Sequence, residues 1–355
     1  MKEVILPSYS IGKDSFEAIG KISRLYGNKI VLIHGEKAYK ACQDKLNSYI
    51  RKFDCKIIKS YLYGKDATYE NVDKIVNDGD IKNANMIFAI GGGKCIDTCK
   101  VIGDKCNIPV ISIPTIASTC AAVTKISIMY TEDHVFKDIY HCKKAPNYCM
   151  IDTEVIMNAP MQYLWAGIGD TVAKNVETYF SCRNDEIEYT DELALQVSNL
   201  CYDSIVAHAT KGYRDAEAKV LSKELETTIQ NILVSTGIVS LIINADYNSA
   251  LAHALFYGLT CRKEIEEKHF HGEVVSYGVL IQLIVDKQIV KLNKTIEFYK
   301  TIGLPVCLND LGISCDDPLE DVLELTIQNK ELNHIPYPIT KAMIRDAIDY
   351  LETKK

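Results

Sequence analysis

Met86-Ile87-Phe88-Ala89-Ile90-Gly91-Gly92-Gly93-Lys94 is the stretch on which the fold turns. Its apolar run has no polar break and reads as a strand buried on both faces, and Lys94–Lys105 then carries helical spacing. Glycines at such a strand-to-helix turn let the backbone approach a ligand and bare the first helical amides to an anion, which suits a pyrophosphate. Plain turn chemistry is the competing reading, because the string is neither GxGxxG nor a P-loop. Asp97 likewise suits a ligand loop or simple balancing of the helix dipole.

The same alternation recurs on either side. Lys29–Ile33 and Cys55–Leu62 read as strands, followed by helical patterns over Glu36–Phe53 and Tyr69–Asn77. Ile108–Ile113 is a further strand that ends in the small-residue loop Pro114–Thr119. Two such loops at the carboxyl ends of neighbouring parallel strands predict a nucleotide crevice. Lys125–Tyr130 and Val135–Tyr140 flank Thr131–His134 as a hairpin. After Met150–Thr153 strand-like runs vanish, and amphipathic patterns dominate over Ala166–Phe180, Asp191–Thr210, Leu221–Leu241 and Val275–Leu292. The expected division is an α/β nucleotide-binding half over 1–155 and an all-α half over 156–355.

Composition bounds the function. Of 355 residues 47% are apolar and 25% charged, which suits a globular chain. Forty bases against 47 acids leave a net charge of −7, so no nucleic-acid partner is expected. No apolar run reaches the ~18 residues of a membrane span. Met1-Lys2-Glu3-Val4 leads into a strand-like segment rather than a signal peptide, so a cytoplasmic location is expected. The 13 cysteines form no CxxC pair and read mostly as small buried apolar residues.

In the helical half, Gly167-Ile168-Gly169-Asp170 reads as a helix opening with Asp170 as its cap. His253 lies on the apolar run Ala250–Leu255, and His269-Phe270-His271-Gly272-Glu273 precedes another helix. One Asp and two His would make a zinc or ferrous site with an open coordination position, although no spacing rule joins these three.

The strings GGGKCIDTCK (91–100), IPTIASTCAA (113–122), AGIGDTVAK (166–174), LAHALFYGLT (251–260) and HGEVVSYGVLIQL (271–283) resemble the glycerol dehydrogenases of the iron-containing alcohol dehydrogenase superfamily. The resemblance implies a Rossmann-like domain followed by a helical one, an architecture shared with dehydroquinate synthases. It implies that Asp170, His253 and His271 hold one divalent metal. Lys174 stands where iron-using members often carry a fourth ligand, which favours zinc over iron. His271, directly before Gly-Glu, is the implied ligand rather than His269.

By the same resemblance Gly91, Gly92, Gly93, Lys94, Cys95 and Asp97 cradle the pyrophosphate of NAD. Thr115, Ile116, Ser118, Thr124, Ile126 and Tyr130 line the rest of the dinucleotide. The implied reaction passes hydride between a small alcohol or ketone and the nicotinamide, with glycerol and dihydroxyacetone favoured, in a homo-oligomer. Glycerol-1-phosphate dehydrogenases and dehydroquinate-synthase-like lyases are the alternatives.

Two departures stand out. Cys120 replaces a family Asp that binds the polyol, and it is carried as a catalytic candidate. Gly35 replaces an Asp that binds the adenosine ribose. Glu36 is the expected substitute, which keeps NAD. Alternatively His34 and Lys37 accept a 2′-phosphate, which allows NADP.

Overall fold

The computed structural model describes residues 4–314 and 317–354. It contains two compact units, Met1–Met161 with Lys219–Leu221, and Gln162–Ala218 with Ser222–Lys355.

The first unit carries β1 (Ser8–Ile11), β2 (Lys29–His34), β3 (Lys56–Leu62), β4 (Met86–Gly91), β5 (Val110–Pro114), β6 (Ile126–Tyr130), β7 (Phe136–His141) and β8 (Tyr148–Ile151). Between and after them run α1 (Ile19–Tyr26), α2 (Glu36–Lys52), α3 (Tyr69–Val76), α4 (Gly93–Cys106) and α5 (Thr153–Met157). Six strands form one parallel sheet in the order β1-β8-β5-β4-β2-β3, and β6 pairs with β7 as the antiparallel hairpin. Every residue of β4 is buried, and so is all of β2 beyond Lys29, as sheet strands covered on both faces must be. Ile22, Leu46 and Ile50 from the helices join Ile30, Leu32, Phe88, Ile90 and Ile111 in one core cluster. β5 starts at Val110, not Ile108: the Pro109 carbonyl accepts from Ile87 N–H at 2.9 Å, but proline has no N–H to return.

The chain passes from β2 outward to β3, then crosses back to lay β4 on the other side of β2. That reversal places the carboxyl ends of β2 and β4 side by side. There Gly35 N–H donates to the Ile90 carbonyl at 3.2 Å, and Thr115 N–H donates to the Gly91 carbonyl at 3.1 Å. Such a switch point is where open α/β sheets take their ligands.

No strand follows Ile151 among the described residues. The second unit is built from α6 (Met161–Ser181), α7 (Tyr189–Asn199), α8 (Ile205–Glu217), α9 (Lys223–Gln230), α10 (Thr236–Ile242), α11 (Leu251–Leu259), α12 (Lys263–Lys268), α13 (His271–Val285), α14 (Ile289–Ile302), α15 (Glu320–Ile327) and α16 (Lys341–Glu352). A wider π-type turn over Asn231–Ser235 joins α9 to α10 without a break. This helix, Lys223–Ile242, corrects the reading that no apolar run is long enough for a membrane. Its mean hydropathy is 1.3 over a sufficient length, and 67% of that window is buried inside the protein, as a core helix would be. Its interspersed Asn, Ser and Thr hid it from a search for unbroken apolar runs.

A second correction concerns Asp170, which lies inside α6 and not at a helix opening. Gly169, directly before it, serves packing. A Cβ on Gly169 would lie 2.5 Å from the Gly272 carbonyl oxygen, and one on Gly272 would lie 2.0 Å from that of Ala166. With no side chain at either position, α6 and α13 approach backbone to backbone, which sets Asp170 beside the start of α13.

Candidate metal centre and nucleotide crevice

Asp170, Lys174 and Glu177 recur at i, i+4 and i+7 and so share one stripe of α6. Asp170 Oδ1 lies 3.8 Å from His253 Nε2 and 3.4 Å from His271 Nε2. One donor atom from each of the three residues falls within 4.8 Å of the others. Ligand bonds of about 2.0–2.1 Å around a tetrahedral ion place neighbouring donors roughly 3.4 Å apart, so the trio fits one divalent cation with a coordination position left over.

The orientation of His253 is fixed from behind. Its Nδ1 donates to Glu177 Oε2 at 2.6 Å, which leaves the Nε2 lone pair facing Asp170. Glu177 is fully buried, and its other oxygen accepts from the backbone N–H of Ala250 (2.8 Å) and His253 (2.9 Å). A carboxylate behind a ligating imidazole sets its tautomer and raises its basicity. Lys174 is committed elsewhere: its ammonium donates to the carbonyl and the side-chain oxygen of Asn248, in the turn before α11. His271 opens α13, with its ring edge-on to Phe256 at 4.4 Å. His269 is diverted to Glu273 at 2.8 Å and stays out of the trio.

Burial alone would push the Asp170 carboxyl up, yet the His271 hydrogen bond and the charges of His271, His253 and Lys174 hold it below the ordinary range. Glu177 is held down in the same way, with His253 outweighing burial. Burial works to lower His253, and Glu177 overrides it and raises the imidazole. Both carboxylates thus stay ionised beside the imidazoles.

In the first unit the glycine loop and the Pro114–Thr119 loop meet. A Cβ on Gly92 would lie 2.6 Å from Ile116 Cδ1, and Thr119 and Ala121 border Gly93, so Cys120 stands at the mouth of α4. Gly92 caps α4 without any side-chain bond. Lys94 reaches Asp66 at 2.7 Å and stacks over the Tyr130 ring at 4.5 Å, while His134 bonds the same Asp66 oxygen at 2.9 Å.

Not every expected residue faces the loops. Cys95 is buried and donates to the Ile90 carbonyl at 3.3 Å. Asp97 is buried too, paired with Lys100 at 2.8 Å and accepting from Ile128 N–H at 3.1 Å. Lys100 also donates to the carbonyls of Thr124 and Ile126, so these residues tie the crevice wall to β6. Thr115 is buried, and Ser118 lies in the second loop. Glu36 and Lys37 are exposed in the first turn of α2. His34 is not available to a 2′-phosphate: its Nε2 meets Ser60 Oγ at 2.9 Å, its ring packs on Tyr39, and burial lowers its pKa.

Sequence reasoning missed Glu177 and Asp66. For Glu177 the signal was present, an acid one heptad after Asp170 and so on the same helical stripe. Asp66 carries no local pattern.

The model of the family described as "Iron-containing alcohol dehydrogenase" matches residues 7–153. A glycerol dehydrogenase of Escherichia coli O6:H1 is 30% identical over 264 residues, covering 72% of this chain and 70% of the relative. Hydroxycarboxylate dehydrogenase A of Escherichia coli K12 is 28% identical over 92% of this chain and 90% of its own. The crystal structure of glycerol dehydrogenase from Schizosaccharomyces pombe superposes with a TM-score of 0.87 at 24% identity, over 99% of this chain and 91% of that one. With the sheet, the switch-point loops and the Asp-His-His trio in place, the chain belongs to the iron-containing alcohol dehydrogenase family.

Proposed function

We propose that the chain is a metal-dependent oxidoreductase that moves hydride between a small alcohol or polyol and NAD, with glycerol to dihydroxyacetone as the favoured reaction. The observation that carries this reading is the convergence of Asp170, His253 and His271, backed by Glu177. When bound, a divalent cation supplies Lewis acidity to an alcohol oxygen, and the nicotinamide supplies the hydride acceptor. The chain's own residues do the rest. Asp170 provides the one anionic donor, Glu177 keeps the His253 lone pair outward, and the amides after Gly92 receive phosphate oxygens.

Zinc is the proposed metal, since Lys174 is bonded to Asn248 and offers no fourth ligand. NAD is preferred because His34 is tied down, which leaves only Lys37 of the two residues suited to a 2′-phosphate. A cytoplasmic homo-oligomer completes the proposal.

The test is a substrate panel on zinc-loaded protein with NAD and with NADP, read as reduced nicotinamide. We expect net reduction with glycerol or 1,2-propanediol, faster with NAD. Cys120→Asp should raise kcat/KM for glycerol about 10- to 100-fold, because a charged hydrogen-bond acceptor replaces a weak one. No net reduction with any polyol would defeat the proposal, since a lyase that recycles its own cofactor behaves that way.

A further inference from the structure

The second unit contains a cavity of about 900 Å³ that the reaction above does not use. Asn175, Val176 and Tyr179 of α6 line it. At about 100° per residue they lie on the opposite side of that helix from Asp170, Lys174 and Glu177. The cavity therefore backs onto the helix that presents the metal donors, without sharing their face.

Its charge is out of keeping with an acidic chain. Four cations line it, Arg183, Lys287, Lys291 and Lys294, against Asp185 and Asp203. Arg183 is neutralised by Asp286, and Asp185 is taken by Tyr247 and His334. Asp203 reaches Lys294 only at 4.0 Å and is 71% exposed. Among the described residues neither Lys287 nor Lys291 has a carboxylate within 4.0 Å.

Lys291 is the informative one. Its ammonium donates to Asn175 Oδ1 at 2.6 Å and lies 4.2 Å from the centre of the Tyr202 ring, with Lys294 over the same ring at 5.5 Å. Both partners of Lys291 are neutral, and burial pulls its pKa down to about 8. The one acid that opposes this shift, Asp203, is a 71% exposed side chain, and the neighbouring Lys294 ammonium adds to the cost of holding a half-buried cation. The first turn of α14 also lines the cavity, with no acidic residue in that turn and no side-chain bond from its cap, Gln288. Lys291 and a bare helix start both lack a close negative charge.

We propose that this cavity binds a small organic anion, its phosphate or carboxylate held by Lys291, Lys294 and the first amides of α14. Val176, Ile187 and Leu195 offer the compact organic body an apolar wall.

The test uses inorganic phosphate and malonate as probes, each against chloride at equal ionic strength. Lysines are acetylated with a limiting amine-reactive ester, and peptide masses report each site. Modification of Lys291 should slow ~3-fold once a probe reaches about twice its dissociation constant, while Lys263, 80% exposed, stays unaffected. The same probes should raise Tm in the wild type and in Asp170→Asn, and by less in Lys291→Met and in the milder, surface Lys294→Gln. Protection no greater than chloride gives, or an undiminished Tm gain in both lysine variants, overturns the proposal. Phosphate protecting where malonate does not would identify a phosphate ligand, and the reverse a carboxylate.

Discussion

Asp170→Asn is expected to cut turnover by at least about a thousandfold, a loss of roughly 4 kcal/mol of transition-state stabilisation. Asn keeps the size and shape of the side chain, so packing inside α6 is preserved. It removes the only anionic donor of the trio, leaving two neutral imidazoles and an amide as a poor site for a divalent cation. The fold of the metal-free protein should be intact, because Glu177 still holds His253. The measurement is steady-state kinetics beside circular dichroism. Retained turnover in a folded variant would show that the reaction does not depend on this carboxylate.

Gly272→Ala should be nearly as damaging by a different route. The added methyl would sit 2.0 Å from the Ala166 oxygen, 2.8 Å from its carbonyl carbon and 3.0 Å from Asp170 Cβ. The closest of these are backbone atoms of a buried helix and have no rotamer to escape into. α6 and α13 must separate by more than about 1 Å to regain ordinary contact. Overpacking of this kind costs about 3 kcal/mol, or a Tm lower by some 5–10 °C for a unit of this size. His271 is the adjacent residue, so the same displacement moves one donor away from Asp170, and metal affinity should fall with stability. Gly79→Ala, with nothing within 4 Å, is the control expected to change neither. Differential scanning calorimetry with and without metal checks both halves, and an unchanged Tm would refute the close crossing.

The parts of the molecule that were legible in sequence are those written in local periods. The apolar runs of β2 and β4 announced a parallel sheet, and Gly91–Gly93 marked the turn into α4 because only small residues suit that approach. The hairpin of β6 and β7 was equally visible. What stayed hidden depends on partners distant in sequence. Asp170 looked like a cap because Gly167 and Gly169 resemble a helix start, and only the position of Gly272 explains why Gly169 sits inside α6. Glu177 acts through His253, 76 positions away, and no window of a few turns holds both. The same holds for Lys291, whose partner Asn175 lies 116 positions earlier. His34 seemed free to meet a phosphate until β3 placed Ser60 against it. Cys95 and Asp97 belong to the glycine motif in sequence, but the helical turn carries them into the packing beneath it.

The most direct test of the account is titration of the metal-free protein with Co(II), followed by its visible d–d absorption. Saturation is expected at one equivalent, with the intense bands of a four-coordinate ion, and those bands should be lost in His253→Ala and in His271→Ala. A wild-type protein that takes up no cobalt, or variants that give the same spectrum as the wild type, would contradict it.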